Sequence, residues 1–184
     1  VFYNLLMIGA AWAILESDRR RARSLGLVAM ALVGITLQIK YSAVFEGMVF
    51  GLWLLASEWR RSRSPVALIL YGAALVAVSL VPTGLAAGVY AAIGQWDAFL
   101  YANFLSIFGQ QDDDTVRSNL LKLLGGAALS LPLAWLAWRG RQAGSFALGW
   151  VAAAVIALLI MHTFELLYIL PLALPLSVAA GTGL

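Results

Sequence analysis

Long apolar stretches alternate with short basic islands along the whole chain. The islands lie at 17–24, 58–64 and 139–145, and they hold nine of the twelve lysine and arginine residues. The stretches between them are mostly apolar, and about 20 apolar residues in a helix cross a hydrocarbon core of about 30 Å. The pattern therefore predicts an all-α fold, a polytopic bundle of transmembrane helices.

The basic islands also predict the topology. Short loops rich in arginine stay on the cytoplasmic side of a membrane, so all three islands are expected there. Residues 25–57 lie between two islands and must cross an even number of times, whereas one helix over this range would be about 50 Å long and would place the second island outside. The sequence predicts instead a hairpin of two short helices, about 25–39 and 42–57, that turns at Lys40-Tyr41-Ser42.

The rest of the chain is interpreted by the same rule. Pro65 opens a span that runs to about Val81, and Pro82 marks its far end or a kink. Residues 1–15, the two helices of the hairpin, the span from Pro65 and three later crossings at about 119–138, 146–161 and 167–184 together give about seven spans. The N-terminus is then outside and the C-terminus inside.

One long external segment, 85–118, remains between the spans. Its aromatic residues recur at helical spacing and predict an amphipathic helix near 95–110. Such a helix lies on the outer membrane surface, where tryptophan and tyrosine collect, or packs its aromatic seam against neighbouring helices. Both interpretations place it outside the hydrocarbon core.

Composition agrees with a lipid environment. The chain is 62% hydrophobic and only 11% charged, which is too little charge to cover a water-soluble globule. It has no cysteine, which excludes thiolate metal sites and thiol redox chemistry. Residues 1–15 lack the basic flank of a signal peptide and resemble the later part of a membrane span. We therefore expect residues 1–184 to form a single transmembrane domain of a longer protein.

Charged residues near the bilayer are costly and are candidates for function. Those expected at the outer face could line one cleft, with Glu46 one turn inside the second half of the hairpin: Lys40, Glu46, Asp97, Arg117, His162 and Glu165. Lys40 could bind an anionic lipid phosphate at headgroup depth, or it could merely anchor the helix by snorkelling. Glu46 could pair with Lys40 or with another basic residue.

Metal and nucleic-acid sites are not expected. His162 and Glu165 stand three residues apart, but two ligands without a third are weak evidence for a metal. Asp112-Asp113-Asp114 could attract a divalent cation, but favourable negative charge at a helix N-terminus explains these residues more simply. The arginine islands need no partner beyond anionic membrane lipids.

Four stretches of the chain together carry a resemblance to a known family. The first is RRRARSLGLVAMALVGITLQIKYSAVFEGMVFGLWLL at 19–55, the second and third are PVALILYGAALVAVSLVP and QWDAFLYANFLSIFGQ, and the fourth is MHTFELLYILPLALPLSVAAG. Together they resemble bacterial glycosyltransferases of the GT-C class, relatives of protein O-mannosyltransferases and aminoarabinose lipid A transferases. The second and third are similar to the family's next span and external interfacial helix, and the fourth is similar to the last span of its membrane domain.

The resemblance implies transfer of a sugar from a polyprenyl-phosphate donor to an acceptor at the outer face of the bacterial inner membrane. Lys40, followed by Tyr41, matches the family's phosphate-side lysine, and no cofactor is implied. The family's catalytic aspartate would precede Val1, so the chain as given is an incomplete enzyme. Two alternatives remain: a non-catalytic membrane subunit of a larger complex and, third, a transporter, which would predict internal repeats.

Overall fold

A computed structural model describes residues 2–105, 145–161 and 175–177, and every regular element in these ranges is helical. Six α-helices follow one another in the chain, with a π-helical turn at Tyr101–Leu105 after the fifth: α1 Phe2–Arg20, α2 Arg23–Leu37, α3 Ala43–Ser62, α4 Pro65–Ala92, α5 Trp96–Leu100 and α6 Ser145–Met161. The all-α class predicted from the sequence is confirmed for this part of the chain.

The predicted hairpin is present as α2 and α3. The chain leaves the helix after Leu37 and re-enters it at Ala43, so no helix continues through Tyr41. The two helices run antiparallel, because Arg23 binds Glu58 at one end while Gly47 approaches Val33 towards the other. A Cβ on Gly47 would lie 2.7 Å from Val33 Cγ1, and glycine therefore allows the two backbones to pack closely at this point.

The helices α1 and α4 pack against this hairpin. Arg61 on α3 donates to the Ser17 carbonyl near the end of α1, so the islands 17–24 and 58–64 share one end of the bundle, which we call the arginine end. Helix α4 runs parallel to α2, because Tyr71 reaches Arg23 at the arginine end and Thr83 reaches Gln38 at the opposite end. We call that opposite end the Lys40 end.

The core lies between α1, α2 and α3, and α6 closes it on one side. Phe50 on α3 packs against Phe146 and Trp150 of α6, with ring centroids 5.3 and 5.1 Å apart. Because Phe146 also lies beside Trp53, α6 runs antiparallel to α3, with its first turns nearer the arginine end. The third basic island, 139–145, falls almost wholly outside the described residues.

Helix α4 extends further than the sequence predicted. Ser64 caps its start by accepting a hydrogen bond from the Ala67 amide, and Pro65 occupies the first turn. The helix then continues through Pro82 to Ala92, so of the two interpretations of Pro82 the one that ends the helix near Val81 is wrong. A proline inside a helix loses one backbone hydrogen bond, but its fixed φ is itself helical. Residues 85–92, predicted to begin the external segment, therefore belong to this helix.

The predicted amphipathic helix near 95–110 is shorter in its described part. A turn at Gly94, where φ is +71°, separates α4 from α5, and such a positive φ favours glycine. Helix α5 has five residues and leads into the π-helical turn. Phe99 is buried between Tyr90 and Trp96, whereas Trp96 and Tyr101 are exposed. The remainder of the predicted helix lies outside the described residues.

One described helix, α4, is long and apolar enough to cross a membrane by length and composition. The helix α2 and residues 146–156 of α6 are apolar but shorter. The helices α1 and α3 contain 19 and 20 residues, but both carry arginines in their last turns. Length and hydropathy therefore identify one candidate span, and the larger number of spans stays a prediction.

Candidate functional site at the Lys40 end

The turn between α2 and α3 carries Lys40. The amides of Ile39 and Lys40 both donate to the Thr36 carbonyl at 3.0 Å, which closes the end of α2. The Lys40 carbonyl in turn accepts from the Ala43 amide at 3.1 Å, which leads the chain into α3. The backbone of Lys40 is therefore tied to both helices, and the start of its side chain is fixed at the end of the bundle.

The Lys40 side chain lies over an aromatic ring of α1. Its Nζ is 5.6 Å from the ring centroid of Tyr3, within the range of a cation–π interaction. The side chain is partly buried, and this burial lowers the pKa of Lys40 while the negative charge of Glu46 opposes the shift. Lys40 and Glu46 are therefore close enough for their charges to interact.

The hydrogen-bond partner of Glu46 is Tyr3. The Tyr3 hydroxyl donates to Glu46 Oε2 at 2.5 Å, across 43 residues of sequence. Glu46 is only 2% exposed and Tyr3 is 8% exposed. A buried carboxyl without a partner is strongly unfavourable, so this bond accounts for the presence of an acid in the first turn of an apolar helix. The same bond holds the Tyr3 ring in place beside Lys40.

Two further donors adjoin the Tyr3–Glu46 pair. Ser42 lies at the start of α3 close to Tyr3, and Trp150 of α6 lies close to Glu46. Both side chains are buried, yet Ser42 Oγ and Trp150 Nε1 have no hydrogen-bond partner among the residues that the structure describes. The Lys40 end therefore holds a concentrated set of polar groups inside otherwise apolar helices.

The turn also contacts the segment after α4. Tyr41, predicted to bind phosphate together with Lys40, donates its hydroxyl to the Ala102 carbonyl at 2.8 Å. Gln38 Nε2 donates to Thr83 Oγ1 at 2.7 Å, which ties the turn to α4. The structure therefore brings the hairpin turn and residues near 100 together. Asp97 is exposed in the first turn of α5.

Three predicted cleft residues, Arg117, His162 and Glu165, lie outside the described residues, as does the acidic run 112–114. Within the described ranges no three histidine, aspartate or glutamate side chains are grouped so that they could hold a metal ion. Lys40 and Glu46 are therefore the predicted residues between which the structure shows an interaction, whereas the Tyr41 hydroxyl binds the Ala102 carbonyl.

Sequence reasoning missed Tyr3, Ser42 and Trp150. A tyrosine or tryptophan within an apolar run is common in membrane helices, and neither Tyr3 nor Trp150 has a motif around it. Glu46 gave the only signal, because a carboxyl at that depth requires a partner. Its partner comes from the first helix, and no local spacing indicates that contact.

The arginine end has a different chemistry. Glu16 binds Arg19 at 2.8 Å and also Arg20, and Arg61 binds Asp18 at 3.3 Å. Arg23 Nε donates to Glu58 Oε2 at 2.8 Å, and a second guanidinium nitrogen binds the other carboxylate oxygen. Glu58 lies in the basic island beyond the predicted span, and its bonds with Arg23 hold its pKa below the usual range.

An apolar groove of about 290 Å³ lies between α2, α3 and α4. Its walls are formed by aliphatic side chains and glycines, and it reaches Leu37 and Val44. These two residues stand just outside the turn 38–42, so the groove leads towards the Lys40 end.

Comparison with protein-family models, with curated proteins and with solved structures finds no match to this chain.

Proposed function

We propose that this chain is part of an integral-membrane glycosyltransferase that takes a sugar from a polyprenyl-phosphate donor at the outer membrane face. In this proposal Lys40 binds the donor phosphate. The observation that carries it is the position of the Lys40 ammonium on the Tyr3 ring, at the end of the bundle opposite the arginines. The sequence around Lys40 is also the longest stretch that resembles the GT-C enzymes.

The outer surface of the helices supports a location in lipid. Only 11% of the most apolar 18-residue window of α4 is buried inside the protein. Large aliphatic side chains on its different faces are exposed, among them Ile69, Leu70, Val76, Leu80 and Leu85. Water would disfavour so much exposed apolar surface, whereas hydrocarbon does not. We propose about seven crossings for the whole chain, with the basic islands in the cytoplasm.

The distribution of basic residues supports both the proposed orientation in the membrane and the proposed phosphate binding by Lys40. The arginine end meets the anionic inner leaflet, which places Lys40 at the outer face. A departing polyprenyl phosphate carries negative charge, and a fixed ammonium stabilises that charge as the sugar–phosphate bond breaks. Lys40 is the only cation of the turn that joins α2 to α3.

The apolar groove supports a lipid-linked donor over a soluble nucleotide sugar. It reaches Leu37 and Val44, on either side of the turn that carries Lys40. An isoprenoid chain entering from the bilayer can lie along this groove while its phosphate stays at headgroup depth. A nucleotide would gain nothing from such a surface.

Binding of a polyprenyl phosphate to the full-length protein in lipid nanodiscs tests the proposal. Lys40→Met keeps the aliphatic stem and removes the ammonium, so affinity should fall by about ten- to a hundredfold, the usual effect of losing a charged hydrogen bond. Binding of the uncharged polyprenol should stay unchanged, because the phosphate is what Lys40 recognises.

Arg60→Met is the matched control. Arg60 also lies 5.6 Å from an aromatic centroid, that of Trp53, but at the arginine end, so its loss should leave phosphate affinity within about twofold. Sugar transfer should follow the same order. If the Lys40→Met protein binds and transfers at the parental level, the phosphate role is lost and the non-catalytic membrane subunit becomes the better interpretation.

A further inference from the structure

We infer that Tyr3 is a positioning residue for Lys40: its ring holds the ammonium at the phosphate site, and Glu46 holds the ring. This inference rests on the proposed function, because it assigns a role to the contacts around the same phosphate site. It adds α1 and the first turn of α3 to a site that the sequence located only in the hairpin turn.

A lysine side chain needs such support to act as a fixed charge. Its stem has four rotatable bonds, and an unsupported ammonium samples many positions. The Tyr3 ring provides one preferred position through a cation–π interaction at 5.6 Å. A cation held before the ligand arrives loses less conformational entropy on binding, which raises affinity without any new contact to the ligand.

The ring itself is fixed from its far edge. The Tyr3 hydroxyl donates to Glu46 Oε2 at 2.5 Å, and Glu46 is buried at the start of α3. Its hydrogen bond is therefore shielded from water and restrains the ring. Lys40 is six residues before Glu46 in the same hairpin. The contact of Lys40 with Tyr3 and the bond of Tyr3 with Glu46 therefore connect the turn to α1 and α1 to α3.

A double-mutant cycle on polyprenyl phosphate binding by the full-length protein separates positioning from a structural role. Tyr3→Leu should weaken binding by about five- to thirtyfold, the range of a partly desolvated cation–π contact. In the Lys40→Met background the same change should have almost no effect, because there is no cation left to position. Polyprenol binding should not respond in either background.

Conservative variants refine this test. Tyr3→Phe keeps the ring and loses only the hydroxyl, so binding should fall by about threefold or less. Glu46→Gln keeps an oxygen acceptor for Tyr3 and should behave similarly. Trp53→Leu removes the equivalent ring beside Arg60 at the arginine end and should leave phosphate affinity unchanged.

If the Tyr3→Leu protein does not fold, a series of fluorinated phenylalanines at position 3 provides the alternative test of the cation–π contact. Fluorination weakens the cation–π attraction while nearly preserving ring shape, so affinity should fall stepwise with the number of fluorines. Equal affinity across the series, or an equal loss from Tyr3→Leu in both backgrounds, would overturn the positioning role alone. An unchanged affinity in Lys40→Met would instead overturn the proposed function.

Discussion

The two ends of the bundle use the same kind of contact in opposite surroundings. At each end a cation lies 5.6 Å from an aromatic centroid, Lys40 over Tyr3 and Arg60 over Trp53. At the arginine end the nearby acids bind arginines, in the pairs Glu16–Arg19, Glu16–Arg20, Asp18–Arg61 and Glu58–Arg23. At the Lys40 end the buried acid, Glu46, accepts a hydrogen bond from a neutral phenol.

This difference separates a structural network from a candidate site. The arginines remain largely in contact with solvent, with 74% and 55% of the Arg19 and Arg23 side chains exposed. Ion pairs with such exposed arginines are partly screened and modest in strength, although Glu58, the acid that Arg23 binds, is itself only 1% exposed. At the Lys40 end Tyr3 and Glu46 are both buried, so the hydrogen bond between them is strong and its loss is costly, whereas the bonds of Gln38 and Tyr41 are exposed. Such an arrangement suits a charge that is held in position before a ligand binds.

The largest effect expected from this comparison is topological. Single cysteines at Ile39 and Ser62, in a chain that has none, should react with a membrane-impermeant maleimide from opposite sides of the membrane. Ile39 should be labelled from outside and Ser62 only from the cytoplasmic side. The cysteine-free parent provides the background. Labelling of both positions from one side would remove the orientation on which the comparison of the two ends depends.

The next effect concerns stability. Glu46→Leu removes the acceptor of a buried tyrosine hydroxyl, so the free energy of unfolding in detergent should fall by about 1–3 kcal/mol. Adding Tyr3→Phe should restore most of this loss, since both polar partners are then gone. Glu58→Leu should cost about 1 kcal/mol or less, because the exposed Arg23 returns to water. A larger loss from Glu58→Leu than from Glu46→Leu would reverse the comparison.

The smallest effect is the pH dependence that Glu58 contributes at the arginine end. Arg23 holds the pKa of Glu58 below its usual range, so this carboxylate stays ionised to a lower pH in the folded state than in the unfolded state. The resulting stability is fully present above the unfolded pKa of about 4.3 and is lost as the pH falls through the lower folded pKa. Melting temperatures between pH 6 and pH 3 should show a smaller decrease for Glu58→Gln than for the parent, and parallel curves would contradict this.

Local patterns predicted the helices well where composition changes sharply. A turn at Lys40-Tyr41-Ser42 is predicted because a single helix across 25–57 would be too long for a bilayer, and the structure places the turn there but ends α2 slightly earlier, at Leu37. Pro82 lies inside α4 and does not end it, although a proline there removes one backbone hydrogen bond and crowds the preceding turn. The length of α4 therefore depends on the packing and solvent of its later residues rather than on proline alone.

The candidate site was predictable only in part. Lys40 and Glu46 stand out because charges are rare in apolar segments, and their positions on one hairpin suggested that they would interact. Their connection through Tyr3 was not predictable, because that residue lies 43 positions from Glu46 on another helix. The contact exists because α1 and α3 run side by side in the same direction.

By itself the sequence determined the helical class, the hairpin and the grouping of basic residues, because each follows from the order of apolar and charged residues along the chain. Tertiary structure alone decided which side chains meet. The close approach of α2 to α3 at Gly47, and the placement of Tyr3 between Lys40 and Glu46, depend on how whole helices pack. Helix packing is set by the shapes of several surfaces at once, and a linear pattern of polarity does not contain that information.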